Sequence, residues 1–170
     1  MSALPSDPSS AADSVPGQDE THHRVRQVLT AVLEELRARH PGLGEFQDHR
    51  PARDRSSGDS WQGLQTLCHV SALLVGRGLP DPAEAAGVID AVHRAASAHG
   101  LHPRAENAGR GMTVVSWAGE EGDLLELVLG VRVAVRMVSA PFLPGSLAPV
   151  PSTSPAAVLS PRTPPPRLVR

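Results

Sequence analysis

Met112-Thr-Val-Val-Ser-Trp117, Leu124-Leu-Glu-Leu-Val-Leu129 and Val131-Arg-Val-Ala-Val-Arg-Met-Val138 are three apolar bursts crowded into one stretch of the chain. In the last, Val131, Val133, Val135 and Met137 alternate with Arg132, Ala134 and Arg136, the period-2 pattern of a strand with one buried face. The segment Ala118-Gly-Glu-Glu-Gly-Asp123 is polar, carries two glycines and reads as the hairpin loop between the first two bursts. Gly130 reads as a second reversal, with one long bent strand as the alternative. This stretch is therefore expected to be the antiparallel sheet on which the helices pack.

Upstream, Val25, Val28, Leu29, Val32, Leu33 and Leu36 recur at helical spacing and make an amphipathic stripe. Asp19 and Glu20 precede it, Arg37, Arg39 and His40 close it in the sense that suits the helix dipole, and Pro41-Gly42 stops it. A second helix is announced by Asp81 as N-cap, Pro82 at the first position and Glu84 completing a box-like pattern. Its apolar face, Ala85, Val88, Ile89, Val92 and Ala96, is narrow and built of small residues, which implies close approach to the sheet. Gly100 followed by Leu101 reads as a left-handed C-cap. Between the helices, Leu43 to Gln47 suits a short strand, and Asp48 to Ser60 is expected to be a charged, mobile surface loop. Trp61 to Val75 fits either period. Leu64, Thr66, Cys68, Val70, Ala72 and Leu74 alternate as a strand, whereas Leu64, Leu67, Cys68, Ser71 and Leu74 suit a helix face. Strand is preferred because Gly76-Arg-Gly78 ends it. His102 to Asn107 reads as a strand entering a turn at Ala108-Gly-Arg-Gly111.

Both ends differ in character. Residues 1–18 carry Pro5, Pro8 and Pro16 with five serines and read as a disordered leader. Residues 141–170 hold nine prolines and no acidic residue, and read as a disordered, proline-rich tail in which Pro161-Arg-Thr-Pro164 satisfies a minimal docking pattern. The expected organisation is one α+β domain over residues 19–140. It has two layers, with two amphipathic helices packed on one face of an antiparallel sheet.

The composition excludes several functions. Net charge is -2 and only four residues are aromatic, Phe46, Trp61, Trp117 and Phe142. There is no electrostatic footprint for nucleic acid, and few platforms are left for stacking its bases. All 16 basic residues are arginine, and Ile89 and Asn107 are single examples of their types, as expected of a high-GC genome. Cys68 is the only cysteine, so an intrachain disulfide and a thiolate zinc site are both excluded. No run reaches the length and apolarity of a membrane span, and no signal peptide follows Met1. The chain as written reads as soluble and cytoplasmic.

No motif in the sequence carries chemistry. His93 and His99 lie six apart on one helix, where a ligand pair needs i, i+4, and His22-His23 point in different directions. His99 and His102 straddle a helix end. Glu34-Glu35 and Glu120-Glu121 read as solvated pairs. On a strand, Cys68 and His69 face opposite ways, so the histidine is not placed to activate the thiol. Gly109-Arg-Gly111 and Gly42-Leu-Gly44 lack the helix N-terminus that a phosphate cradle needs. Arg132 and Arg136 share a face as a contact stripe. No residue is assigned as catalytic, cofactor-binding or metal-ligating, and no cofactor is expected.

The order of landmarks adds one expectation. Gly78-Leu-Pro-Asp-Pro-Ala83 opens a small-residue helix, Ala98-His-Gly-Leu-His-Pro103 ends it, and a strand run closes in Val131-Arg-Val-Ala-Val-Arg-Met-Val-Ser-Ala-Pro141. Over residues 20–145 this resembles the small actinobacterial lipoproteins, secreted domains of mostly unassigned function. The chain departs from them in lacking a signal sequence with a lipidated cysteine and a cysteine pair, since the closing position reads Ala140-Pro141. The resemblance implies a cytoplasmic relative, or an envelope protein whose true start lies upstream, and transfers no catalytic residue. Together these readings favour a non-catalytic module that binds a protein partner. The alternative is a small enzyme whose residues meet only in three dimensions, which requires a concave pocket with two titratable side chains in hydrogen-bond reach near Cys68, His69 or His93.

Overall fold

The computed structural model describes residues 15–145. Helix α1 (Gln18–Arg39) buries Val25, Val28, Leu29, Val32 and Leu36 of the stripe expected from the sequence, together with Thr21, while Leu33 is only half-buried. It starts at Gln18, inside the expected leader. Thr21 satisfies its own hydroxyl there by donating to the Gly17 carbonyl at 2.9 Å. Helix α2 (Ala85–Ala98) follows a single 3-10 turn, Pro82–Glu84. The Asp81 carboxylate accepts from the Ala83 amide at 2.9 Å, so the cap is the aspartate alone and Glu84 does not complete a box. Gly100 closes α2 at φ +75°, and the Leu101 amide returns to the Ala96 carbonyl at 3.0 Å.

Among the described residues the strands are β1 (Phe46–Arg50), β2 (Arg53–Trp61), β3 (Leu64–Val70), β4 (Leu73–Gly76), β5 (His102–Gly109), β6 (Met112–Ala118), β7 (Leu124–Leu129) and β8 (Val133–Val138). They form one open antiparallel sheet in the order β1-β4-β8-β7-β6-β5, with β2 on β3 and β3 also on β8. The segment expected to be a loop, residues 48–60, is therefore mostly strand. Its polar composition hid this, because an edge strand draws its order from the partner's backbone and not from an apolar face of its own. The Gln62-Gly63 reversal, with φ of 48° and 80°, and Arg110-Gly111, with φ of 51° and 74°, have positive φ at both central residues. That backbone matches the strand twist of tight hairpins and sets the β2–β3 register as far as Ser60 and the β5–β6 register as far as Ala105, beyond which each ladder shifts. Within residues 61–75 the preferred strand reading holds for Leu64–Val70 and from Leu73 on, with a turn at Gln62-Gly63 and a break at residues 71–72.

Strands β3 and β4 are one run interrupted by a bulge. Val70 pairs with Val138 and Leu74 with Val135, four steps on one strand against three on the other. Two serine hydroxyls fill the gap in the ladder. The Met137 amide donates to Ser71 Oγ at 2.9 Å, and the His69 amide donates to Ser139 Oγ at 2.8 Å. Both serines are buried, and both bonds replace ladder partners that the bulge removes.

Gly130 does begin a reversal, and Leu129 faces Val133 across it. Val131 consequently leaves the strand face and is 83% exposed, whereas Val133, Val135 and Met137 are fully buried. The expected arginine stripe is spent within the fold. Arg136 pairs with Glu126 across β7, and Arg132 donates to the Gly76 and Arg77 carbonyls at the end of β4.

One hydrophobic cluster joins the buried faces of α1 and α2 to Val115, Trp117, Leu125, Leu127, Leu129, Val133, Val135 and Met137. The domain also runs past residue 140. Phe142 and Leu143 are fully buried, with Phe142 pairing to Leu67 in both directions at 2.9 and 2.8 Å and Leu143 bridging to Gly17. Proline flanks on a short apolar pair concealed that extension. The Pro161–Pro164 pattern lies outside the described residues. No helix among the described residues is long and apolar enough to cross a membrane.

Candidate functional site

Two places gather groups with chemistry. The first is built on register. Asp54 of β2 is the direct cross-strand partner of His69 on β3, so their side chains emerge on the same face of the hairpin. Gln18 and His22 stand i, i+4 on the first turns of α1 and share one helix face. The four side chains meet at the Asp54 carboxylate. His69 Nδ1 lies 2.6 Å from Asp54 Oδ1, His22 Nε2 lies 3.0 Å from Oδ1 and 3.2 Å from Oδ2, and Gln18 Nε2 donates to Oδ2 at 3.0 Å. The two imidazoles approach with centroids 4.1 Å apart, and the ring of Phe142 meets His22 edge-on at 5.7 Å. All three titratable side chains are partly exposed, from 15% for His69 to 25% for His22.

Burial of Asp54 by itself would raise its pKa. Hydrogen bonds from His69 and His22, and the Coulombic pull of both rings, outweigh that and hold the carboxyl below its ordinary value of 3.8. A carboxyl whose folded pKa is depressed contributes stability that is complete above the unfolded value and is lost as pH falls through the folded one. Asp54→Asn is therefore expected to lower stability at neutral pH by on the order of 1 kcal/mol. The gap from wild type should close on acidification below 3.8. Urea unfolding of both proteins along a pH series reads this directly, and a gap indifferent to acid would refute the pairing.

The second place is a groove of about 370 Å³ between α2 and the β5 edge of the sheet. Ile89, Val115 and Trp117 contribute apolar surface, and Asp90, His93, Arg104 and Glu106 contribute charge and polarity. Trp117 is buried and its indole N–H donates to His93 Nδ1 at 3.1 Å, which leaves the proton of the neutral imidazole on Nε2. All eight residues of β5 are exposed.

The histidines considered from the sequence divide accordingly. His22 and His69 come together, although His22 does so without His23. His93 is engaged by Trp117. His99 caps α2 through its backbone amide. Cys68 is buried and free, and the adjacent His69 hydrogen-bonds Asp54, so the two act separately. Glu35 is held in ion pairs with Arg39 and Arg94. Sequence reasoning passed over two residues that matter here. Asp54 sat in the supposed loop, and Gln18 sat in the supposed leader. The signal for Gln18 was positional, a helical Gln-x-x-x-His pair, whereas Asp54 faces His69 only because an irregularity between Ser56 and Ser60 shifts the register that the Gln62-Gly63 turn starts.

Asp123 is a third, structural centre. It is buried, its Oδ1 accepts from the Ala140 amide at 2.7 Å, and its Oδ2 lies 2.7 Å from Arg24 Nε without the alignment of a hydrogen bond. It ties the β6–β7 loop to α1 and to the segment after β8.

No protein-family model and no curated protein matches this chain. A solved structure is similar. It is that of a DUF4853 family protein from Actinomyces odontolyticus, at 13% identity and a TM-score of 0.48, over 77% of this chain and 74% of that one.

Proposed function

We propose that the chain is a non-catalytic binding module that takes an extended segment of a partner protein along β5. In this reading both helices roof one face of the sheet, and the roof stops short of its β5 edge. The observation that carries it is the continuity of an exposed edge strand with an apolar-floored groove. A backbone pairing to β5 supplies affinity, and a side chain reaching Trp117, Val115 and Ile89 supplies selectivity, the arrangement used in strand addition. Asp90, Arg104 and Glu106 favour a segment whose apolar residue is flanked by charges of both signs. Pro103, Arg104 and Glu106 blunt the edge against indiscriminate pairing. An enzyme would need coupled titratable groups within the concavity. His22, Asp54 and His69 do not line this groove, and His93 within it bonds to an indole and not to a carboxylate.

The test is site-specific photocrosslinking in the native host. A photoreactive residue at Ala105 is expected to trap one defined protein, while the same residue at Arg26, on the exposed side of α1, traps none. Identical adducts from both positions, or no adduct from Ala105, would reject the reading.

A further inference from the structure

We infer that His22 Nε2, His69 Nδ1 and a carboxylate oxygen of Asp54 form a three-ligand site for a divalent transition cation of the zinc class. The geometry leaves a further coordination position to water or a ligand. Their donor atoms lie within 4.8 Å of one another. With bonds of about 2.0–2.1 Å, neighbouring donors on a tetrahedron stand roughly 3.3 Å apart. The two pairs with Asp54, at 2.6 Å for His69 and 3.0 Å for His22, need to open by less than about 1 Å of side-chain rotation to admit an ion, and the two imidazole donors lie within 4.8 Å of each other.

The donor set selects the metal class. Two imidazoles and one carboxylate suit zinc, cobalt or nickel, whereas magnesium and calcium want oxygen ligands throughout. The supporting structure is also in place. Asp54 and His69 are fixed by cross-strand register, and the His69 backbone is held at both ends of its peptide by Ser139, through bonds of 2.8 Å in each direction. Gln18 donates to Asp54 Oδ2, the role of an outer partner that orients a ligating carboxylate. The partial exposure of all three side chains gives the ion a way in. This site is independent of the β5 groove, so either can fail without the other.

The experiment titrates the full-length, metal-stripped protein with zinc chloride by calorimetry, and with cobalt(II) by visible absorption. One equivalent of zinc should bind, and cobalt should give the ligand-field bands of a low-symmetry nitrogen and oxygen site. His22→Ala and His69→Ala should each weaken binding by at least about 100-fold, and Gln18→Ala, which leaves the three ligands intact, by about 10-fold. His49→Ala, at an exposed histidine of β1 outside the cluster, should leave the affinity unchanged. His22 lies on a partly exposed helix face, so H22A is expected to keep the wild-type circular dichroism and to separate lost coordination from lost fold. Absence of binding by the wild type overturns the proposal. So does affinity that H22A and H69A leave intact, which would assign the zinc to scattered surface histidines.

Discussion

Phe142→Ala is expected to destabilise the domain by about 3–5 kcal/mol, the loss typical of an aromatic ring removed from a sealed interior. Phe142 is fully buried beside the hairpin, its backbone pairs with Leu67 through two hydrogen bonds, and its ring braces His22. The substitution deletes the ring and leaves a cavity that the backbone pairing prevents from collapsing. Val131→Ala provides the control, since Val131 is 83% exposed and its loss should fall within about 0.5 kcal/mol. Urea denaturation of the two variants compares them. A Phe142→Ala protein as stable as Val131→Ala would return residues beyond 140 to the tail and move the domain boundary back.

Gly78→Ala is expected to cost about 3 kcal/mol or more, from overpacking against rigid backbone. A Cβ at Gly78 would fall 1.9 Å from the Gly42 carbonyl oxygen and 2.9 Å from the Gly42 and Leu43 carbonyl carbons. No side chain is available to swing aside. The Gly78 amide also donates to the Leu43 carbonyl at 2.8 Å, so relief of the clash breaks a hydrogen bond. The contact is asymmetric, because a Cβ at Gly42 meets nothing within 4 Å. Gly42→Ala should therefore be nearly silent. Thermal melts of the two alanine variants decide the matter, and equal melting temperatures would mean that the 3-10 turn at Pro41–Leu43 does not press on the segment after β4 as described.

The elements legible in the sequence are those with a single apolar face. Helix α1 was readable from its stripe and β6, β7 and β8 from their bursts, because burial on one side leaves a period in the residues. Helix α2 was readable from Asp81, Pro82 and Gly100. What escaped lies at the margins of the sheet. Strand β2 and the part of β1 after Gln47 carry Asp48, Arg50, Arg53, Asp54 and Arg55, a composition that suits a loop equally well. They are strands because β3 and β4 offer their backbones. Val131 was misplaced by one turn, since the alternation of Val131 to Met137 continues through a reversal that only pairing reveals.

The His22–Asp54–His69 cluster escaped for a related reason. Its members are separated by 32 and 15 residues, and each looked unremarkable alone. The β5 groove was legible only in part. His93 and Trp117 stood out as residues, but their hydrogen bond depends on α2 crossing β6 at that height.

The placement of β8 has a consequence for the order in which the chain becomes a protein. Among the described residues, the last strand in chain order is an interior one, flanked by β7 on one side and by β3 and β4 on the other. Until Val138 is synthesised, the β1–β4 hairpin system and the β5–β7 meander are two separate half-sheets, each with an open flank where β8 belongs. Native pairing therefore joins segments more than sixty residues apart, Val70 with Val138 and Leu74 with Val135, and this long loop closure makes assembly slow for a domain of this size. During that interval the unzipped flanks are the surface a chaperone would shield.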